Sequence, residues 1–175
     1  MLTSAMDLKQ IIRSFPDWPK SGVIFRDIMP LLKNPQAVKF AVDEMIGHLG
    51  GKEIDLVAGI ESRGFIFGAL LAQNLHKGFI AIRKEGKLPG ETLKVSYTIE
   101  YGSATMEIQK DAVKPGERVL IVDDLLATGG TAKAAAELIE KLGGIVVGFA
   151  FVIELSDLKG RERLRGYEVN ALVAY

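Results

Sequence analysis

The sequence predicts an α/β fold built on a mainly parallel β-sheet flanked by helices. Segments with strand character alternate with segments of helical periodicity through the middle of the chain, as expected when crossover helices join parallel strands. The apolar run Val119–Val122 shows no polar alternation, which is typical of a strand covered on both faces. With 175 residues, 48% of them hydrophobic, the chain can bury one core, so we expect a single domain over residues 1–175.

The composition excludes several classes of protein. The 22 Lys and Arg residues balance the 22 Asp and Glu residues, which argues against nucleic acid or a membrane surface as the main partner, because those partners attract a basic excess. The absence of cysteine excludes disulfides, thiolate metal sites and a cysteine nucleophile. Residues 1–9 hold no apolar signal core, and no run approaches the roughly 18 apolar residues of a membrane span. We therefore expect a cytoplasmic protein.

The first elements are predicted from the spacing of apolar residues. A helical spacing over Asp7–Phe15 predicts a short amphipathic helix that Pro16 ends. The apolar segment 23–32 that follows contains Arg26 and Asp27, and the simplest interpretation is a packed edge segment with a surface ion pair. The later predicted elements are helix 36–49, strand 54–60, helix 65–75, strand 79–82, hairpin 93–108, strand 119–122, helix 131–142, and strands 145–153 and 169–174.

The strongest candidate site follows the strand Val119–Val122, because ligands of such sheets collect at the carboxyl ends of the strands. Asp123 and Asp124 could accept hydrogen bonds from adjacent sugar hydroxyls or face a hydrated Mg²⁺. The residues after them are small or carry hydroxyls, and backbone N–H groups there can close on a phosphate: Ala127, Thr128, Gly129, Gly130 and Thr131. The alternative is a tight turn in which Thr131 is only a helix N-cap and the aspartates are solvated.

Basic residues follow two other strands. Arg63 stands beside a glycine in a second strand-to-helix loop, which suits a second anion, although a salt bridge to Glu61 is the alternative. Arg83, Lys84 and Lys87 lie just after the strand 79–82. A run of charged residues is usually a solvated loop. Here, however, three cations are concentrated within a chain of zero net charge, and they lie just after a strand of the sheet.

Four motifs resemble those of one enzyme family. The stretch 119–131 resembles the phosphoribosyl diphosphate (PRPP) signature of type I phosphoribosyltransferases, and neither a Walker loop nor a dinucleotide fingerprint occurs. Three further stretches resemble the adenine-specific members of that family: GVIFRDI-x-PLL from Gly22, ESRGF from Glu61, and RKEGKLPG from Arg83 with YTIEYG from Tyr97. The resemblance therefore covers nearly the whole chain.

The resemblance implies a type I phosphoribosyltransferase fold with an N-terminal hood over residues 1–34 and a flexible loop and hairpin arm over residues 83–110. It implies formation of AMP and diphosphate from adenine and PRPP in purine salvage. Mg²⁺ is expected to be held mainly by PRPP, with Asp123 and Asp124 nearby and no direct protein ligand. Family members are usually homodimers, so we expect a homodimer with no nucleic acid or membrane partner.

The resemblance also assigns roles to individual residues. The expected catalytic residues are Glu100, which would manage a proton of the base, and Arg63. The residues expected at the ribose and 5′-phosphate are Asp123, Asp124, Ala127, Thr128, Gly129, Gly130 and Thr131. The residues expected at the diphosphate are Arg63, Arg83, Lys84, Lys87 and Tyr101. The residues expected at adenine are Ile24, Phe25, Arg26 and Leu155.

Two alternatives remain at this point. The first is a phosphoribosyltransferase for another base, since the PRPP signature does not identify the acceptor. The second is a non-catalytic PRPP-sensing regulator, because the same fold serves as the effector domain of purine repressors. The zero net charge and the lack of a helix-turn-helix pattern before the signature oppose the second alternative.

Overall fold

The computed structural model describes residues 6–99 and 102–175. The chain divides into two compact units, Met1–Glu44 and Met45–Tyr175. The expectation of a single domain over residues 1–175 therefore stays a prediction.

The first unit contains a small antiparallel sheet. Its elements are α1 (Leu8–Ile11), β1 (Arg13–Pro16), β2 (Ile24–Asp27), α2 (Met29–Lys33) and the beginning of α3 (Pro35–His48), which carries the chain into the second unit. Strands β1 and β2 pair so that Phe15 lies opposite Phe25. Trp18 packs edge-on against Phe25, with ring centroids 4.5 Å apart, so aromatic side chains hold this sheet together.

The prediction of a helix over Asp7–Phe15 is wrong beyond Ile11. The Asp7 side chain caps the helix by accepting a hydrogen bond from the Lys9 N–H (3.0 Å). The backbone from Arg13 onward instead pairs with β2. Arg13 also forms an ion pair with the largely buried Asp27 at 2.6 Å. Pairing with a distant segment thus overrides the helical spacing of apolar residues.

The second unit is a seven-stranded sheet with helices. Its elements are β3 (Leu56–Ile60), α4 (Gly64–Leu75), β4 (Gly78–Lys84), β5 (Thr92–Ile99), β6 (Gly102–Gln109), β7 (Arg118–Leu126), α5 (Gly130–Lys141), β8 (Ile145–Glu154), a 3₁₀ turn (Ser156–Leu158), α6 (Gly160–Arg163) and β9 (Val169–Ala174). The strand order is β5-β6-β4-β3-β7-β8-β9. Five neighbouring strands of this sheet are parallel to one another: β4, β3, β7, β8 and β9. Strands β5 and β6 form an antiparallel hairpin, and β6 pairs with β4. The predicted α/β fold with a mainly parallel sheet is confirmed.

The core of the second unit forms around β7. Val119 and Ile121 are fully buried and belong to one apolar cluster with the alanine-rich face of α5. Helix α4 also packs against β3 and β7, with Phe67 fully buried. Burying side chains of this size contributes about 1.5–3 kcal/mol each, so the sheet and its helices form a stable base for the loops at the strand ends. No helix among the described residues has the length and apolar character needed to cross a membrane.

Strand β7 is longer than predicted. It pairs with β8 as far as Leu126, opposite Glu154, rather than ending at Val122. The acidic pair therefore lies inside the strand and not in the loop after it. Because successive side chains of a strand point to opposite faces, Asp123 and Asp124 project in different directions. Asp124 is buried and Asp123 is half-buried, so neither is the freely solvated aspartate of the alternative interpretation.

The hairpin of β5 and β6 is confirmed, and its pairing runs from Thr92 opposite Gln109 to Ile99 opposite Gly102. Its predicted tip residues Glu100 and Tyr101 lie outside the described residues. The remaining predicted helices and strands are found within a few residues of their expected bounds.

Candidate active site

The loop after β7 leads directly into α5 without a side-chain cap. Gly129 occupies the N-cap position with φ +82°, a left-handed conformation that favours glycine, and the helix begins at Gly130. The alternative that Thr131 serves as the N-cap is therefore wrong. Because no side chain caps the helix, its first N–H groups and its positive dipole end are left for an anion.

Two cavities lie at this end of the sheet. The smaller, of about 80 Å³, is bordered by the loop: Asp123, Leu125, Leu126, Ala127, Thr128, Gly129, Gly130, Thr131, Ala132 and Phe151. The larger, of about 350 Å³, reaches from the loop to the end of β3: Glu61, Ser62, Arg63, Lys84, Tyr97, Met106, Asp123, Asp124, Leu125, Ala127 and Thr131. The cavities share Asp123, Leu125, Ala127 and Thr131, so a ligand with two parts could occupy both.

The acidic pair is joined to Arg63. The Arg63 Nε lies 2.6 Å from Asp124 Oδ2, and the Asp124 N–H donates to Asp123 Oδ1 at 2.9 Å. Burial, together with the neighbouring Asp124 charge, holds the pKa of Asp123 well above its usual range. A cation or a hydroxyl donor that reached Asp123 would favour its charged form, so the pair is suited to bind sugar hydroxyls or a hydrated metal ion.

Gly64 allows this arrangement because helix α4 begins directly against β7. A Cβ at Gly64 would lie 2.7 Å from the Val122 carbonyl oxygen and 2.9 Å from Asp123 Oδ1. A residue with a side chain would push the helix away from the strand. The glycine after Arg63 thus lets the loop bring Arg63 to the acidic pair.

Glu61 pairs with Arg83. Its carboxylate accepts hydrogen bonds from Arg83 Nε at 3.1 Å and from the Lys84 N–H at 3.0 Å. Burial raises the pKa of Glu61, but these hydrogen bonds and the nearby positive charges outweigh burial and lower it. Arg83 also donates to the Lys87 carbonyl oxygen at 3.1 Å. Arg83 therefore braces the ends of β3 and β4, a contact that the sequence did not predict.

The structure brings together some of the predicted residues. The predicted residues that line the larger cavity are Arg63, Lys84, Asp123, Asp124, Ala127 and Thr131, and those that line the smaller one add Thr128, Gly129 and Gly130. Arg83 and Lys87 lie at the end of β4 and in the loop after it, outside the linings of both cavities. Leu155 follows β8, and its N–H donates to the Leu126 carbonyl oxygen at 2.9 Å. Glu100 and Tyr101 lie outside the described residues.

The predicted base-binding residues Ile24, Phe25 and Arg26 all lie on β2 of the first unit. Arg26 Nη1 donates to Ser14 Oγ at 2.6 Å, and Ile24 is exposed. Phe25 lines an apolar cavity of about 310 Å³ in this unit together with Phe15, Trp18 and Asp27. Their role at adenine stays a prediction.

Sequence reasoning missed Tyr97, which lines the larger cavity from β5. Its hydroxyl lies 3.0 Å from Thr131 Oγ1 in the first turn of α5. The alternation of the hairpin placed Tyr97 on its apolar face, but no local pattern indicated that this face would contact α5. Glu61 lines the same cavity and pairs with Arg83, whereas the alternative from the sequence was a salt bridge between Glu61 and Arg63.

The chemistry of the site does not provide a metal centre made of protein ligands alone. Within residues 6–99 and 102–175, no group of three or more His, Asp or Glu side chains could hold a metal ion. The carboxylates that line the larger cavity are Glu61, Asp123 and Asp124, of which Glu61 is paired with Arg83 and Asp124 with Arg63. These residues fit a Mg²⁺ ion that a phosphorylated ligand holds and that the acidic pair contacts through water.

A parallel sheet with an uncapped helix start, an acidic pair and cations at its carboxyl edge is typical of proteins that bind phosphorylated sugars or nucleotides. The family model of the phosphoribosyl transferase domain matches residues 30–172. The chain belongs to the phosphoribosyl transferase family.

Individual relatives agree over nearly the whole length. The adenine phosphoribosyltransferase of Nitrosopumilus maritimus is 56% identical over 97% of this chain and 100% of the relative. The crystal structure of adenine phosphoribosyltransferase from Thermoanaerobacter pseudethanolicus is 49% identical, with a TM-score of 0.95 over 98% of this chain and 100% of that chain. The Saccharomyces cerevisiae enzyme complexed with D-2,5-dideoxy-2,5-imino-altritol 1,6-bisphosphate and adenine is 44% identical, with a TM-score of 0.92 over 96% of this chain and 97% of that chain.

Proposed function

We propose that this protein is an adenine phosphoribosyltransferase that forms AMP and diphosphate from adenine and PRPP in purine salvage. The observation that carries the proposal is one edge of the sheet, where the uncapped loop, the acidic pair and Arg63 meet around two cavities that share lining residues. Similarity to adenine phosphoribosyltransferases over nearly the full chain supports the choice of reaction. The family resemblance further supports a homodimer in the cytoplasm.

In this proposal, each part of PRPP binds a separate group of residues at the edge of the sheet. The 5′-phosphate binds the N–H groups and hydroxyls of the loop from Ala127 to Thr131. The ribose hydroxyls donate to Asp123 and Asp124. The diphosphate lies toward Arg63 and Lys84, with Arg83, Lys87 and Tyr101 as further proposed contacts. N9 of adenine is the nucleophile and displaces diphosphate at the anomeric carbon. The cations stabilise the negative charge of the departing diphosphate.

Arg63 has to change partner for this chemistry. Its Nε lies 2.6 Å from Asp124 Oδ2, and PRPP would offer hydroxyls to Asp124 and phosphate oxygens to Arg63. Both groups therefore keep a charge-assisted contact when PRPP binds. Mg²⁺, when bound with the substrate, supplies further positive charge to the diphosphate.

The residues proposed to contact the base are Leu155 after β8 and the β2 residues Ile24, Phe25 and Arg26. The backbone of Ile24 can donate an N–H and accept with its C=O, which matches the N1 acceptor and the exocyclic N–H donor of adenine. Glu100 is proposed to accept the proton from the other imidazole nitrogen of the base, which makes N9 a better nucleophile.

The proposal predicts a preference for adenine over hypoxanthine. Hypoxanthine reverses the donor and the acceptor at the edge that Ile24 reads, so two polar groups would be desolvated without partners at about 1–3 kcal/mol each. With PRPP, Mg²⁺ and each base, kcat/KM for adenine should exceed that for hypoxanthine by at least roughly tenfold. Ile24→Val keeps the backbone and should leave the ratio nearly unchanged.

Product analysis across a panel of bases separates the alternatives. Comparable use of both bases by the parent protein would overturn the adenine assignment, and no nucleotide product from any base would favour a PRPP-sensing regulator. A ratio that collapses only in Ile24→Val would move base reading from the backbone to the side chain.

Asp124→Asn should weaken PRPP binding much more than adenine binding. The substitution removes a charged acceptor for a ribose hydroxyl and the partner of Arg63. A charge-assisted hydrogen bond contributes about 1.5–3 kcal/mol, so the Kd for PRPP should rise roughly tenfold to a hundredfold. Isothermal titration with PRPP and with adenine measures both effects.

Asp55→Asn is the matched control for that variant. Asp55 also pairs with an arginine, Arg118, whose Nε lies 2.8 Å from its carboxylate, but this pair lies where β7 begins rather than at its carboxyl end. The control should bind PRPP as the parent does. An unchanged PRPP affinity in Asp124→Asn, or an equal loss in Asp55→Asn, would contradict the assignment of the acidic pair.

A further inference from the structure

Helix α6 packs closely against the loop that precedes α5. A Cβ at Gly160 would collide with the Ala127 carbonyl oxygen, and a Cβ at Gly129 would lie 2.5 Å from the Gly160 carbonyl oxygen. Backbone therefore packs on backbone at this point, and glycine on each side makes the approach possible.

This packing places the Arg163 side chain along the two glycines of the loop. Its Cβ lies 3.3 Å from the position that a Cβ of Gly129 would occupy, and its Nη1 lies 3.3 Å from the corresponding position at Gly130. The guanidinium thus reaches Gly130, the first residue of α5, and Gly130 lines the smaller cavity.

Arg163 differs from its neighbour Arg161. Arg161 is engaged by Glu154, with Nε 2.8 Å from Oε1, and by the Val169 carbonyl oxygen. Among residues 6–99 and 102–175, the Arg163 guanidinium has no hydrogen bond or ion pair. Its charge is therefore not neutralised by the part of the chain that the structure describes.

A phosphate bound in the smaller cavity would need a positive charge close to it. A phosphate monoester carries about −1.5 to −2 charges at neutral pH. The residues that line the cavity are uncharged except for Asp123, which is acidic. Arg63 and Lys84 line the larger cavity instead. Backbone N–H groups and hydroxyls alone would leave much of the phosphate charge uncompensated.

We propose that Arg163 is a further binding residue for the 5′-phosphate of PRPP and AMP, donating from its guanidinium to a phosphate oxygen beside Gly130. The inference rests on the proposed function, because it requires a phosphorylated ribose in the smaller cavity. It assigns to α6 the task of supplying the positive charge that the loop lacks. A planar guanidinium also suits a phosphate better than a point charge does.

The test compares two ligands that differ only in the phosphate. Isothermal titration with AMP and with adenosine is done on the parent and on Arg163→Gln. The AMP affinity should fall roughly fivefold to thirtyfold in the variant, since an exposed charge-assisted contact is partly screened, and the adenosine affinity should not change. The salt dependence of AMP binding should also become weaker.

Arg165→Gln removes a nearby exposed arginine from the same charged segment and serves as the matched control, with AMP affinity unchanged. Arg163→Lys keeps the charge and should bind AMP within roughly threefold to fivefold of the parent. Arg163→Met keeps the unbranched stem and removes the charge, so it should lose AMP affinity as the glutamine variant does and repeats the test if the glutamine variant does not fold.

Each result decides between the hypotheses. Parent-like AMP binding by Arg163→Gln, an equal loss for adenosine, or a lysine variant as weak as the glutamine variant would overturn the role of Arg163. A parent protein that binds AMP no better than adenosine would instead contradict the proposed function, and the inference would fall with it.

Discussion

Gly129→Ala should strongly destabilise the protein and disrupt the phosphate loop. At φ +82°, alanine would be strained by about 1–2 kcal/mol. Its Cβ would also lie 2.5 Å from the Gly160 carbonyl oxygen, and relieving such overpacking costs about 1–3 kcal/mol. The free energy of unfolding should therefore fall by roughly 2–5 kcal/mol, as measured by urea denaturation. The PRPP affinity should fall as well, because the loop has to move away from α6.

Gly116→Ala separates the two contributions. Gly116 has a similar φ of +86°, but a Cβ there would have nothing within 4 Å. This control should lose only the cost of the left-handed conformation, about 1–2 kcal/mol, and keep its PRPP affinity. Equal destabilisation by the two variants would show that contact between the loop and α6 does not matter.

Removing Mg²⁺ should nearly abolish turnover. The diphosphate carries several negative charges, and only Arg63 and Lys84 of the proposed cations line the cavity. A metal ion contributes several kcal/mol of charge stabilisation in the transition state, and about 4 kcal/mol corresponds to a roughly thousandfold slower reaction. AMP formation in excess chelator, followed by addition of excess Mg²⁺, measures the loss and its recovery.

The same treatment should leave the folded protein intact. Because the described residues contain no three-ligand metal group, the chelator should not change the free energy of unfolding in the absence of PRPP. Full turnover in excess chelator would contradict the requirement for Mg²⁺, whereas unfolding in chelator would indicate a structural metal instead.

The elements of the second unit follow from local patterns. The apolar runs at β3, β7 and β8 and the helical stripe of α5 were sufficient to predict the parallel sheet, because burial on both faces or along one stripe is visible in a short window of sequence. The loop from Ala127 to Thr131 was predicted for the same reason, since its small residues directly follow a buried strand.

Local patterns failed where a distant segment decided the outcome. The apolar spacing over Asp7–Phe15 is helical, yet pairing with β2 makes its second half a strand. Strand β7 continues past Val122 because β8 is long enough to pair with it as far as Leu126. A strand needs a neighbouring strand for its backbone hydrogen bonds, and the strand's own sequence does not show which segment will be that neighbour.

The sequence by itself determined which residues carry charge and hydroxyls near the strand ends, and therefore what the site can bind. Only the tertiary structure decided their partners: Arg63 with Asp124, Arg83 with Glu61, and Arg163 along Gly129 and Gly130. The reason is that β3 lies between β4 and β7 in the sheet. This order, together with the packing of α6 on the loop, sets which groups are within reach, because Coulomb and hydrogen-bond energies depend on distance in space and not along the chain.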